Sequence, residues 1–250
     1  RIARYRDIEK IIAEIKQYTS LGIYDFYFSA DTFTWNSDWV YAFCKAIRGL
    51  NFKISWLCTA RADRFSEELL LAMKSAGCRG VSMGVESGNE NMQRHIGKNL
   101  KKQQVEAAVR LCKKHKIITL LHFMIGFPWD DKSSVLETIR FAKTLNGNII
   151  EFYIVTPMPG TLLYDLIKND SKLHLPDSIE NLNQNTVTTN TYRLTKEDIY
   201  VLRKKALRIL YLNPFFYLKS LRYIHSLPQL FHCSAFILRK LYLIVFKRKQ

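Results

Sequence analysis

The stretch VSMGVESGNE, residues 81–90, decides how this chain folds. A short apolar strand, Val81 to Val85, ends abruptly in a carboxylate, a hydroxyl and a glycine at Glu86, Ser87 and Gly88. Where strands alternate with helices around a parallel barrel, the C-terminal strand ends and the loops after them build the active site. A carboxylate at such an end is placed to meet a ligand.

The same grammar recurs on either side. Ile8, Ile11, Ile12, Ile15 and Leu21 form a helical stripe over residues 5–21, and Gly22 closes it. The strand IYDFYFS follows and ends at Ser29-Ala30-Asp31. Ser37-Asp38 opens a helix through Ile47 that Gly49 ends, and the strand FKISWLC leads to Thr59-Ala60-Arg61. Ser66 caps the next helix. The strand at 79–85 is followed by a short helix at 89–95 and a longer one at 101–115. IITLLHFMI then ends at Gly126-Phe127-Pro128, a helix spans 131–145, and NIIEFYIV ends at Thr156-Pro157 before a short helix from Thr161. Five helix-to-strand units at a period of about 30 residues predict an α/β fold with a parallel sheet. A partial barrel is the first choice and an open doubly wound sheet the second. Only Asp31 and Glu86 are acidic among the strand-end groups, and no Gly-rich phosphate loop follows a strand.

With 250 residues, 48% hydrophobic and 13% aromatic, the chain can bury a large core, which excludes a disordered protein. Its five cysteines lie at irregular spacings without a CxxC or CxxxCxxC pattern. They read neither as a disulfide framework nor as a self-contained metal site, and fit a reducing, cytoplasmic setting. The chain starts at Arg1, without Met, inside a helical pattern, and is read as a fragment. Residues 1–170 are assigned to the barrel, 171–195 to a polar linker and 196–250 to a basic helical tail, with helices near 196–212, 214–225 and 229–247. Of the net charge of +16, the last fifty residues carry eleven Lys and Arg against no Asp or Glu. The excess suggests contact with a membrane surface through residues 213–250, while Arg239 and Lys240 break the one long apolar run before it could span a bilayer. Nucleic acid is the other polyanion such a charge fits.

Taken together, FSADTFT (28–34), CTARAD (58–63), GVESG (84–88), IGFP (125–128) and TPMPGT (156–161) resemble, in order and spacing, the radical S-adenosylmethionine (SAM) core domain. The branch often fused to a cobalamin-binding domain is the most similar. The resemblance covers roughly residues 1–170 and implies a partial (β/α)6 TIM-like barrel, here without its first strand. It implies SAM and a 4Fe-4S cluster as cofactors, with cobalamin as a further one and an electron donor as partner. The cluster cysteines are then expected upstream of Arg1, and no metal ligand within the chain. The implied reaction uses a 5′-deoxyadenosyl radical, or cobalamin-dependent methylation or cyclisation, on a small-molecule, lipid-like or tetrapyrrole-like substrate. An RNA-modifying radical enzyme, or a degenerate barrel serving as a peripheral-membrane or interaction protein, are the alternatives.

Residue by residue, the resemblance places Ser29, Ala30 and Asp31 at the methionine amino group, where an ammonium wants acceptors; Asp31 is otherwise a turn or capping residue. Glu86 matches a contact to the ribose hydroxyls or methionine, with a salt bridge at the barrel mouth as its other reading. Ser87 assists it or caps the short helix. Arg61 presents its guanidinium fork to a carboxylate of SAM or substrate, or pairs with Glu86 or Asp63. Gly126, Phe127 and Pro128 fall where the adenine lies, and Thr156 falls close to it. His122, Trp56 and Cys58 read mainly as packing residues, and no catalytic side chain is named.

Overall fold

The computed structural model describes residues 4–176, 182, 186–213, 227, 230–232, 234–235 and 237–238. Helices and strands alternate from the start: α1 (Ile8–Ser20), β1 (Asp25–Phe28), α2 (Ser37–Arg48), β2 (Ser55–Ala60), α3 (Glu67–Ser75) and β3 (Cys78–Glu86). Two helices, α4 (Glu90–His95) and α5 (Lys102–Lys114), precede β4 (Ile118–Ile125). The described elements continue with α6 (Lys132–Leu145), β5 (Ile149–Ile154), α7 (Leu162–Lys168) and α8 (Lys196–Tyr211).

The five strands form one sheet in the order β1-β2-β3-β4-β5, with β1, β2 and β3 paired in parallel. A doubly wound sheet reverses its strand order at a switch point. This order runs without reversal, as in a partial TIM-like barrel. In β4 and β5, half-buried positions alternate with buried ones, so both faces of the strands are covered.

Local signals explain most element ends. Asp7 caps α1 by accepting the Lys10 N–H, and Gly22, at φ +83°, ends it in a Schellman turn in which Ile23 N–H reaches Tyr18 O. The cap of α2 is Asn36, whose side chain accepts the Trp39 N–H, so the expected opener Ser37 is instead the first helical residue. Both residue types suit a cap, and only the extended backbone of Asn36 settles the choice. Capping boxes start α6 at Asp131 and Ser134, and α8 at Thr195 and Asp198. β2 runs on through Thr59 and Ala60, and β3 includes Glu86, so these strand-end residues sit on the sheet itself.

The chain divides into two compact units, Arg1–Gly84 with Lys102–Leu121, and Val85–Lys101 with His122–Gln250. In the first, Phe28, Phe33, Phe43 and Trp56 meet mostly edge to face with centroids 5.2–5.9 Å apart. The buried Trp56 indole donates to Ala76 O at 2.7 Å. In the second, Phe123 stacks on Phe152, and α8 buries Ile199, Leu202, Ala206, Leu210 and Tyr211, the Tyr211 hydroxyl donating to Ile150 O. The first helix of the stretch set apart as a basic tail thus lies in a core. At the described end of the expected linker, Thr188, Thr189, Thr191 and Leu194 are buried. The helices expected at 214–225 and 229–247 lie largely outside the described residues. No described helix is long and apolar enough to cross a membrane.

Candidate functional site

In the first unit, β1 delivers Ser29, Ala30 and Asp31 to an exposed turn. Thr59, near the end of β2, pins that turn: its hydroxyl donates to Ala30 O and accepts the Ala30 N–H at 3.3 Å. The Asp31 carboxylate caps no helix, because the short 3₁₀ turn Phe33–Trp35 begins after Thr32. Arg61 is engaged by its neighbour, Nε and Nη2 donating to the two Asp63 oxygens at 2.9 and 3.0 Å. Burial pushes the Asp63 carboxyl up, but the hydrogen bonds and charge of Arg61 outweigh it and hold the carboxyl below its ordinary range.

In the second unit, Glu86 closes β3 at φ +65°. A non-glycine residue in that left-handed region costs on the order of 1–3 kcal/mol and persists only where its surroundings over-determine it. They do so here. Lys98 Nζ donates to Glu86 Oε1 at 2.6 Å, with both side chains about one-fifth exposed. Beneath it, Gln93 Nε2 donates to Val85 O and Ser87 O at 2.7 and 2.6 Å. Thr138 of α6 meets the Ser87 hydroxyl and the Gly88 N–H, each at 3.0 Å. A Cβ at Gly88 would lie 2.7 Å from Phe141 Cβ and 3.0 Å from Thr138 Cα, so only glycine lets the turn sit against α6. Asn89, not Ser87, caps α4 by accepting the Met92 N–H. Ser87 instead accepts the Asn89 N–H and ties the turn to Thr138.

The second strand end of this unit is the Gly126-Phe127-Pro128 turn after β4. Gly126 takes φ +103°, and the N–H groups of Gly126 and Phe127 both donate to Asp130 Oδ2 at 3.0 Å. Asp130 Oδ1 accepts from Ser134 Oγ at 2.8 Å, and the residue is 2% exposed. Burial pushes the Asp130 carboxyl up to about 6, against the downward pull of those hydrogen bonds. Phe127 packs with Met92 and Val155, while His95 stacks flat on Trp129 with centroids 4.7 Å apart. Thr156 follows Val155, half-buried, its hydroxyl 3.3 Å from Ile154 O.

His122 lies half-buried beside the Tyr153 ring. Burial lowers its pKa more than the Glu151 and Glu86 charges raise it. Cys58 is fully buried, and loss of solvent pushes its thiol well up. Cys44 and Cys112 are raised to about 12 for the same reason. Such thiols are poor nucleophiles and poor ligands. Among the described residues, no group of three or more His, Cys, Asp or Glu is arranged to hold a metal ion, so an iron–sulfur cluster does not fit there. In the first unit the exposed Asp31 carboxylate offers acceptors suited to an ammonium, and in the second unit the Glu86 carboxylate offers acceptors suited to ammonium or hydroxyl donors.

Sequence reasoning missed Thr59, Lys98, Gln93, Thr138 and Asp130. Asp130 alone carried a local signal, an Asp four residues after a turn glycine and just ahead of a helix. The others act on residues 6 to 51 positions away, where no spacing rule reaches.

Comparison with known proteins identifies the family and the fold. The model of the radical SAM superfamily matches residues 1–142. An uncharacterized methyltransferase of Pyrococcus horikoshii is 34% identical over 216 residues, covering 84% of this chain and 46% of that protein. The anaerobic magnesium-protoporphyrin IX monomethyl ester cyclase of Cereibacter sphaeroides is 26% identical over 171 residues, covering 66% and 28%. The chain thus spans less than half the length of these curated relatives. Among solved structures, the cobalamin-dependent SAM radical enzyme OxsB, with aqua-cobalamin and SAM bound, superposes with a TM-score of 0.64 at 14% identity, over 96% of this chain and 42% of its own. The match over more than half of the chain, on a sheet of the expected strand order, shows the family: this chain belongs to the radical SAM superfamily of enzymes.

Proposed function

We propose that the protein containing this chain is a radical SAM methyltransferase or cyclase, and that this chain holds SAM at its strand ends. The observation that carries the reading is Glu86, a carboxylate kept in a costly left-handed backbone at the end of β3 by Lys98, Gln93 and Thr138. Energy stored in backbone at a strand end is the mark of a positioned ligand group. Glu86 would accept from ribose hydroxyls or the ammonium. The Gly126-Phe127-Pro128 turn and Thr156 would border the adenine, and Ser29, Ala30 and Asp31 would accept from the methionine amino group, with Arg61 and Ser87 completing the set. SAM with an iron–sulfur cluster supplies one-electron chemistry, and with cobalamin methyl transfer; both groups and an electron donor are part of this proposal. The cyclase relative favours a small-molecule substrate of tetrapyrrole type. The basic stretch 213–250 is proposed to contact a membrane surface.

The test uses the full-length protein, reconstituted anaerobically with iron and sulfide. The wild type should bind and cleave SAM, and Glu86→Gln should weaken SAM binding tenfold or more, about the worth of a charge-assisted hydrogen bond. A wild type that takes up the cluster yet neither binds nor cleaves SAM refutes the reading.

A further inference from the structure

The superfamily match ends at residue 142, yet the Gly126-Phe127-Pro128 turn is held from beyond it. The Thr191 hydroxyl donates to Asp130 O at 2.8 Å while accepting the N–H groups of Arg193 and Leu194 at 3.1 and 2.8 Å. Next to it, Tyr192 N–H donates to Pro128 O at 2.9 Å. Arg193 Nη1 reaches Asp131 Oδ2 at 3.0 Å. From the other side, the Asp130 carboxylate collects the N–H groups of Gly126 and Phe127. Thr191 and Asp130 are 3% and 2% exposed, so neither set of bonds is exchanged with water. Behind the turn, Ile199 of α8 lies 3.6 Å from where a Gly126 Cβ would stand.

A linker over a surface would leave its hydroxyls to solvent. Here a buried threonine spends its donor and two acceptor sites on ordering its own segment and the residues after the β4 turn. The Gly126 and Phe127 amides, which could otherwise turn toward solvent, are bound inward on a carboxylate. A turn ordered in advance does not have to lose that freedom when a ligand arrives.

We propose that residues 191–194 form a strap that, with the Asp130 carboxylate, presets the Gly126-Phe127-Pro128 turn for the nucleoside portion of SAM. Thr191 and Asp130 are thus positioning residues for a site they do not touch. The inference rests on the SAM reading above and extends the site into a segment outside the superfamily match.

The experiment measures SAM affinity by equilibrium dialysis on the reconstituted full-length protein and its Thr191→Val, Thr191→Ser, Asp130→Ala and Asp130→Asn variants. Thr191→Val and Asp130→Ala should weaken binding about tenfold or more, the effect expected when buried donors lose their acceptor. Thr191→Ser and Asp130→Asn keep an acceptor in place and should stay close to the wild type. If Thr191→Val and Asp130→Ala melt cooperatively and bind SAM within about twofold of the wild type, the strap has no such role. Should those variants fail to fold, amide exchange on the wild type decides. Peptides covering 126–130 and 188–195 should be protected together before SAM is added, and free exchange of 188–195 beside a protected turn overturns the strap alone. A wild type that binds no SAM removes the underlying reading, and the strap with it.

Discussion

Asp130 shows what one buried carboxylate does to this molecule. Its folded pKa of about 6 lies above the ordinary 3.8, chiefly because burial penalises the charge. A folded state that holds its proton more tightly than the unfolded chain is most stable below 3.8, and that advantage is lost as pH rises through about 6. The window is worth roughly 3 kcal/mol. Asp130→Asn cannot titrate. The wild type should therefore lose stability relative to Asp130→Asn as pH rises from 4 to 7, read from urea unfolding at each pH. A difference between the two that stays constant with pH contradicts the burial argument. Keeping an ionised side chain there at neutral pH costs stability, a common trade at a ligand site. Glu86 follows the same logic through its backbone. Of the two, Glu86 was legible in the sequence because it terminates an apolar run. The role of Asp130 was not, because it arises from burial that no local pattern announces.

At the scale of elements, the turn after β3 depends on α6. Thr138 supplies two hydrogen bonds to it, and Gly88 lies where any side chain would strike the helix backbone and Phe141. Gly88→Ala should lower the free energy of unfolding by about 1–3 kcal/mol, the usual penalty of overpacking. Urea unfolding checks it, with the midpoint shifted and the slope unchanged; an unshifted midpoint means that α6 yields freely. The elements themselves could be read from spacing and caps. Asp131, Thr161 and Thr195 each cap the helix that follows them, and each strand is a short apolar run. Ends were less legible: β2 and β3 run past the expected Cys58 and Val85 to Ala60 and Glu86. Hydrogen bonding to a neighbouring strand, not composition, decides where a strand stops.

At the scale of the molecule, basic charge and core packing meet in α8. α8 carries cations yet buries five side chains in the core of the second unit. From 213 to 250 seven Lys and Arg follow with no acidic residue. At about 1 kcal/mol per basic residue near an anionic bilayer, the proposed membrane contact of that stretch would be sensitive to salt. The full-length protein should sediment with phosphatidylserine vesicles at low salt and lose that on deletion of 213–250, which leaves α8 whole. Equal sedimentation after deletion places the contact elsewhere.

What the sequence by itself determined was the alternation of helices and strands, the parallel sheet they form, and the strand ends that carry Asp31, Glu86 and Gly126. Periodicity, capping and chain reversal act over a few residues, and a few residues suffice to display them. Tertiary structure alone decided the partners. Lys98 reaches Glu86 across α4, Thr138 reaches Ser87 from α6, and Thr191 returns to Asp130 over 61 residues. Those pairs depend on how whole elements stack, so their energies belong to the packed molecule and not to any segment of the chain.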